Sequence, residues 1–382
     1  MQVRKGKTVR NTLGVFLWGA EGTAKSSIAL QSMYLKRPDG KPFRVLYIDA
    51  ESGSIDSYVA KVAADGIDTD NLTIFYTQSY SEVIGLIEKI NKNEDFYYYD
   101  DDGNETEEVI LDADGKPFRP DCVVIDGLSV LYQTSQQSLV DFSRKRASVK
   151  CGAKGVIGDE RTVAVEGSFL ELKDYNKLAF QSSNLILSLT ASNVSYVVTG
   201  REKAEKESKH VGGQIQSVAT GKMIPDAYGK SCQYNCKTEI RLFRTEDEPN
   251  VVKGFVVKDR SMTYTTGETI EEPSLLDFQK TLDATATKPD NIVRNTINQA
   301  VETETKLYEN SLDKYNADVA EKSETDDLPT LIDKITEAKN ELSPVKKQAL
   351  KNALQKAGLP TTFKTIKDAA TAKAIAEEIA KL

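Results

Sequence analysis

One histidine, four cysteines and one tryptophan in 382 residues leave several chemistries short of material. His210 stands alone, which argues against a Ser-His-Asp hydrolase. A zinc site needs about four ligands. Cys232 and Cys236 form a C-x3-C pair with no second pair nearby, and Cys122 and Cys151 are scattered. The expected state is reduced, partly buried thiols in a reducing compartment. No apolar run approaches the length of a membrane span, and the N-terminal "MQVRKGKTVR" lacks the apolar stretch of a signal peptide. A cytoplasmic protein with no membrane partner is expected. Positive charge is also in deficit, with 50 Lys+Arg against 58 Asp+Glu and a net charge of −8. That speaks against coating nucleic acid by bulk basicity but leaves room for a local basic groove.

What is present is enough apolar residue, 39%, to bury a core, in a chain long enough for one large domain and a smaller one. "LGVFLWG", "RVLYIDA", "DCVVIDGLSVLY" and "SYVVTGR" read as buried strands. "KSSIALQSMYLK", "SYSEVIGLIEKINK" and "DYNKLAFQSSNLILSLTAS" carry apolar residues at helical spacing. Short apolar strands alternating with helices predict an α/β fold with a mostly parallel central sheet covered on both faces. This core is expected over 1–282. An acidic hairpin insertion about 94–120 carries two Asp/Gly turn signals, and its "DADGK" reads as a turn rather than a calcium loop. "RKRASVKCGAKGVIGDERTVAVEGS" and "EKAEKESKHVGGQIQSVATGKMIPDAYGK" read as two long polar loops, with strand-like "TEIRLFRT" and "VKGFVVKDRS" after them. A linker and polar helix follow over 283–328. A small all-α region over 329–382 closes the chain; residues 331–382 hold ten lysines against six acids.

The stretch "LGVFLWGAEGTAKSSIAL" raises the sharpest question. Gly19, Gly22, Lys25 and Ser26 fit the phosphate-binding pattern G-x-x-x-x-G-K-[ST], except that Ala24 replaces its second glycine. A strand leads in and a helix leads out, as that loop requires. The backbone from Gly19 through Ala20, Glu21, Gly22, Thr23 and Ala24 to Ser27 would cradle phosphates at the helix start. Lys25 would reach the β/γ-phosphates and Ser26 would ligate magnesium. If the loop needs φ > 0 at Ala24, alanine costs about 1–2 kcal/mol. If it needs only close approach, one methyl fits. In "VLYIDAESG", Glu51 ends a strand one element later and would polarise an attacking water. In "CVVIDG", Asp126 follows four apolar residues and would orient the magnesium shell.

Taken in order, these motifs resemble the RecA-type ATPases. "VLYIDAESGSIDSYVAKV…IDTDNLTIFYTQS" is similar to the second-strand region of RecA, whose Ile-Asp-Ala-Glu run carries the catalytic glutamate. "DYN" before a long helix and "VVTGRE" look closer to phage-encoded RecA-like recombination ATPases, which accompany single-strand annealing. The resemblance covers roughly residues 10–275. It implies that Glu51 is the catalytic acid and that Tyr58 lies near the adenine. It implies that Lys258 and Arg260 of "VVKDRS", similar to the Lys-x-Arg element of RadA-like proteins, act across a subunit interface on a neighbour's γ-phosphate. The family's sensor glutamine is absent; Thr199 or Arg201 stands in its region.

By position in such a fold, DNA contact falls in the two polar loops. Arg144, Lys145, Arg146, Lys150 and Lys154 belong to the first, and Lys203, Lys206, Lys209 and Lys222 to the second. The resemblance thus implies an ATP- and Mg2+-dependent ATPase, stimulated by single-stranded DNA and assembled as a ring or filament, in the host cytoplasm if phage-encoded. It would assist annealing or strand exchange. The lysine-rich C-terminal region lies outside the resemblance and reads either as a solvated helical face or as an auxiliary module that contacts DNA or a single-strand-binding or annealing protein. Two other readings stay open: a helicase or motor of the same fold, and a nucleotide-bound structural or loading protein that does not turn over.

Overall fold

The computed structural model describes residues 5–53, 55–211, 214–226, 228–286, 300–309 and 328–382. The chain divides into two compact units, 1–299 and 300–382.

In the first unit, β1 (Gly14–Gly19) leads to α1 (Lys25–Leu30), which runs on as a 3-10 turn over Gln31–Tyr34. Then come β2 (Val45–Asp49), α2 (Asp56–Ala64), β3 (Leu72–Tyr76) and α3 (Tyr80–Lys92). The hairpin β4 (Tyr97–Tyr99) and β5 (Glu105–Val109) precedes β6 (Cys122–Asp126), α4 (Leu128–Lys154), α5 (Gly158–Glu166) and α6 (Leu172–Ala191). The unit continues through β7 (Ser195–Val211), β8 (Gln214–Pro225), α7 (Gly229–Asn235), β9 (Thr238–Phe243), β10 (Lys253–Asp259), β11 (Thr269–Glu271) and α8 (Gln279–Asp283).

The sheet order is β11-β10-β9-β1-β7-β6-β2-β3, with β8 paired to the far half of β7. From β9 to β3 every neighbouring pair is parallel. The expected α/β architecture is therefore present. β1, β2 and β6 are buried at every position, as strands covered on both faces must be. Side chains alternate between two cores: Phe16, Trp18, Leu46 and Ile48 pack in one, and Val15, Leu17, Val45 and Tyr47 in the other.

Helix boundaries follow local chemistry. Ser79 caps α3 by accepting from the Glu82 amide, and Asn93 ends it in the left-handed region. At the start of α6, the Glu171 and Asp174 side chains close a reciprocal capping box.

Three readings need correction. "LSVLY" does not extend the third strand; Gly127 turns the chain at φ 105° and Leu128 opens α4. The first polar loop is helical: residues 128–151 hold neither glycine nor proline, so α4 runs on until Gly155 caps it at φ 68°. The second polar loop is the antiparallel ribbon β7–β8, in register from Glu202↔Pro225 onward with a shift between Ala204 and Lys206. A two-stranded ribbon standing off the sheet buries little, so its strands are polar and lack the apolar alternation that marks a half-buried strand.

The hairpin expected about 94–120 is β4–β5, and Asp112 to Gly115 make a turn closed by the Gly115 amide. All four cysteines are buried free thiols. Of the linker and polar helix read over 283–328, only 283–286, 300–309 and Leu328 lie within the described residues.

The second unit holds a helix over 300–309 (α9), then α10 (Leu328–Glu341), α11 (Pro344–Lys356) and α12 (Ala369–Ala380). Leu331, Ile335, Leu350, Leu354, Phe363, Ile366, Ala372 and Ile375 form its own core. Ser343 and Asp368 cap α11 and α12.

Candidate functional site

The C-terminal ends of β1, β2 and β6 lie level with Thr199 to Arg201, midway along β7. In register, Gly19 sits beside Arg201, and Asp49 beside Asp126. This is the edge where open parallel sheets bind ligands.

The loop after β1 is held tightly. A Cβ on Gly19 would stand 2.1 Å from the Leu242 carbonyl of β9, so only glycine fits. Gly22 has φ 71°, and its carbonyl accepts from Arg244 Nε at 3.1 Å. The buried Thr23 hydroxyl donates to the Ala20 carbonyl at 2.8 Å. Ala24 answers the open question about its backbone: it is left-handed, with φ 61° and ψ 23°. An alanine there carries about 1–2 kcal/mol of strain that glycine would not. Its carbonyl accepts the first helical bond, from Ile28 N, and the Ser27 hydroxyl at 3.0 Å.

Lys25 Nζ folds back on the loop, donating to Ala20 O at 2.6 Å and Gly19 O at 3.3 Å. Burial pulls its ammonium below the ordinary value, against the opposing pull of Glu51 and Asp126. Both carboxylates are thus within electrostatic reach of the amine. Ser26 follows Lys25 in the first turn of α1, and Glu21 and Ala20 face solvent.

Asp126 is buried at the end of β6. Tyr47 Oη donates to its Oδ2 at 2.8 Å, and the Thr199 hydroxyl donates to its Oδ1. Thr199 in turn accepts from the Gly127 amide at 2.9 Å. Thr199 therefore fixes the aspartate and the turn after it. An alcohol and a carboxylate of this kind, Ser26 and Asp126, suit a hard cation with oxygen ligands. Among the described residues no group of three or more acidic, histidine or cysteine side chains could hold a metal by itself.

Glu51 stands on a turn made by Asp49, whose buried carboxylate accepts from the amides of Glu51 at 2.8 Å and Gly53 at 2.7 Å. Arg201 pairs with Glu51 at 2.9 Å, both partly exposed. Gly127 has no side chain for a reason: a Cβ would meet Glu51 Cγ at 2.9 Å. Tyr58 is half-exposed on α2.

Lys258 and Arg260 do not join this group. β10 runs antiparallel to β9, so Lys258 lies level with Glu239 and hence with Phe16. That is three residues, about 10 Å, below Gly19 along the sheet, toward the opposite edge. Lys258 donates to the Gln233 carbonyl, and burial lowers its ammonium. Arg260 is exposed.

The cations read in the two polar segments divide by partner. Arg146 binds Asp174 at 2.5 Å within the α6 cap. Arg144 pairs with Asp141 and Glu166, and Lys150 with Glu171. Lys145 and Lys154 lie on the same helix, α4. On the ribbon, Lys203 pairs with Asp226 and Lys209 with Glu207, while Lys206 and Lys222 are also on its strands.

Reading the sequence missed Asp49, Tyr47, Arg244 and Gly127. Asp49 had a signal: an aspartate two residues before a turn residue is the Asx-turn pattern. Arg244 had none, because it meets the loop only through the β1–β9 pairing.

No helix among the described residues is long and apolar enough to cross a membrane. No protein-family model matches the chain, and no curated protein matches it. Among solved structures, the chain is similar to a KaiC-like protein from the hyperthermophilic archaeon Pyrococcus horikoshii. The identity is 13% and the TM-score 0.34, over 68% of this chain and 88% of that one. A likeness at that level says nothing of function, so the site stands on its own geometry.

Proposed function

We propose that the chain is a RecA-like ATPase that binds ATP with Mg2+ at residues 19–27, hydrolyses it, and does so faster on single-stranded DNA. One observation carries the reading: a glycine-held loop, Lys25, Glu51 and Asp126 gather at the C-terminal ends of β1, β2 and β6, beside Thr199 midway along β7. Lys25 would leave the carbonyls of its own loop for the β/γ-phosphates. Ser26 and Asp126 would hold Mg2+, which neutralises charge on the phosphates when bound. Glu51 would accept the proton of the attacking water, once its pair with Arg201 opens. Tyr58 would lie toward the base.

Arg201 shares β7 with Lys203, Lys206 and Lys209, Lys206 lying five residues beyond it, and Lys222 is on the paired β8. DNA phosphates drawn to Lys203, Lys206, Lys209 and Lys222 would compete for the strand that holds Arg201 against Glu51. This supports stimulation by DNA. Arg144, Lys145, Arg146, Lys150 and Lys154 are the second proposed DNA contact. Arg146, committed to Asp174, is the least available of them.

Lys258 and Arg260 lie away from their own site, which supports a role in a neighbouring copy's site and hence a ring or filament. Assistance of annealing or strand exchange, as in phage recombination, follows from the resemblance. A second reading has one observation in its favour: Glu51 engaged by Arg201 describes a site that binds nucleotide without turnover. Purified protein assayed for ATP hydrolysis, beside Lys25→Ala, decides between them. Turnover lower by about 100-fold or more in the variant supports the ATPase. ATP binding with no turnover in the parent supports the second reading.

A further inference from the structure

The second unit carries a charge pattern that the nucleotide site does not use. From Leu342 to Lys367 there are six lysines, at 346, 347, 351, 356, 364 and 367, and no aspartate or glutamate. This stretch is α11 and the segment after it. All six acids of residues 331–382 lie outside it: three on α10, two on α12, and Asp368, which caps α12.

The lysines are turned outward. Lys346, Lys351, Lys356, Lys364 and Lys367 are exposed, and none of the five has a carboxylate partner among the described residues. Lys347 is half-buried and donates to the Asn340 carbonyl at 2.9 Å. Between them the outer row of α11 is Gln348, Asn352 and Gln355, all exposed. At 100° per residue, Lys347 and Lys351 fall on one flank of that row and Lys356 on the other.

We propose that this face of the second unit is a binding site for the phosphate backbone of nucleic acid, separate from the ribbon and independent of ATP. Lysine, asparagine and glutamine are among the side chains that contact phosphate and sugar. An acidic membrane surface also attracts each lysine near it, but a helix that settles into the interface adds an apolar face buried in the lipid. The apolar residues of α11, Leu350 and Leu354, are already spent in the unit's own core. Val345 is the one large apolar side chain that α11 exposes. A polyanion bound through its backbone fits this surface better than a bilayer. In an acidic chain, an acid-free stretch also keeps repulsion of the backbone out of the interface.

The test uses the full chain in a Lys25→Ala background without nucleotide, so that the outcome does not depend on the ATPase reading. Binding of a fluorescent single-stranded oligonucleotide and of a duplex is measured against salt, with and without Lys351→Gln, Lys356→Gln and Lys364→Gln together. The three positions are exposed, and an unchanged melting temperature checks the fold. The proposal expects the slope of log K against log salt to fall by about 2 on single strands and by nearly 3 on duplex, at roughly 0.7 and 0.9 for each phosphate left without its lysine. It also expects the three lysines in the parent to be protected from acetylation when the oligonucleotide is bound. An unchanged slope with no protection overturns it. So does loss of binding to phosphatidylserine vesicles in a variant that keeps its oligonucleotide affinity.

Discussion

Two antiparallel ribbons hang from the first unit, alike in secondary structure and opposite in charge. The β4–β5 hairpin lies within residues 94–115, which hold ten acids and no lysine or arginine. The β7–β8 ribbon, over 201–222, holds five lysines and arginines against three acids. The acidic hairpin is tied locally: Lys89 of α3 pairs with Glu105 and lies over the Tyr97 ring. The basic ribbon grows out of β7, a central strand whose Thr199 fixes Asp126 and whose Arg201 holds Glu51. Net charge over the whole chain hides this division. What matters for a polyanion is which ribbon shares a strand with the site, and it is the basic one.

Neutralising each ribbon tests that contrast most strongly. Lys203→Gln, Lys206→Gln, Lys209→Gln and Lys222→Gln together should lower the salt slope of single-strand binding by up to about 3. They should also abolish DNA stimulation while basal hydrolysis persists. Asp100→Asn, Asp101→Asn and Asp102→Asn should leave both measurements nearly unchanged. Equal losses from the two sets would break the comparison.

A smaller effect is expected where the basic ribbon meets the site. Arg201→Ala should raise hydrolysis without DNA and bring the ratio of stimulated to basal rate toward one. A preserved ratio would separate the ribbon from Glu51.

The strained loop gives a smaller change still. Ala24→Gly should stabilise the protein by about 1 kcal/mol or less in thermal or denaturant unfolding, relief of the left-handed strain being partly offset by glycine's freer unfolded chain, with ATP affinity kept or raised. A large loss of affinity would mean that the loop is shaped around the methyl group.

The smallest effect concerns Glu239, on the side of β1 away from the ribbons. It is buried, accepting from Trp18 Nε1 at 2.9 Å and Gln233 Nε2 at 3.0 Å. Burial raises its carboxyl above the ordinary range. A raised folded value favours the proton in the native state. Its contribution is therefore full below the unfolded value and is lost as pH rises through the folded one. Glu239→Gln should flatten that part of the pH profile of Tm. An unchanged profile would show that the carboxyl titrates normally.

The strands were legible because burial on both faces makes a continuous apolar run, as in "GVFLWG" and "CVVID". The glycines of the loop after β1 were legible because the backbone demands them, Gly19 by close approach to β9 and Gly22 by its left-handed φ. The ribbon was not, because β7 beyond Arg201 and β8 are mostly polar and look like a loop. α4 was not read through the first polar segment, because its residues from Arg144 to Lys154 look like a basic loop. β3 escaped because an edge strand, half-exposed over "LTIFY", shows neither a buried run nor clean alternation. Pairwise geometry such as Arg201 against Glu51, 150 positions apart in the chain, leaves no local trace.

Everything proposed for the first unit comes down to whether the residues gathered at the strand ends hydrolyse ATP in response to DNA. The direct measurement is the rate of ATP hydrolysis by the purified protein with and without single-stranded DNA, beside Lys25→Ala and Glu51→Gln. Turnover should rise with DNA and disappear in both variants. ATP bound without turnover, or turnover that survives Glu51→Gln, would contradict the proposal.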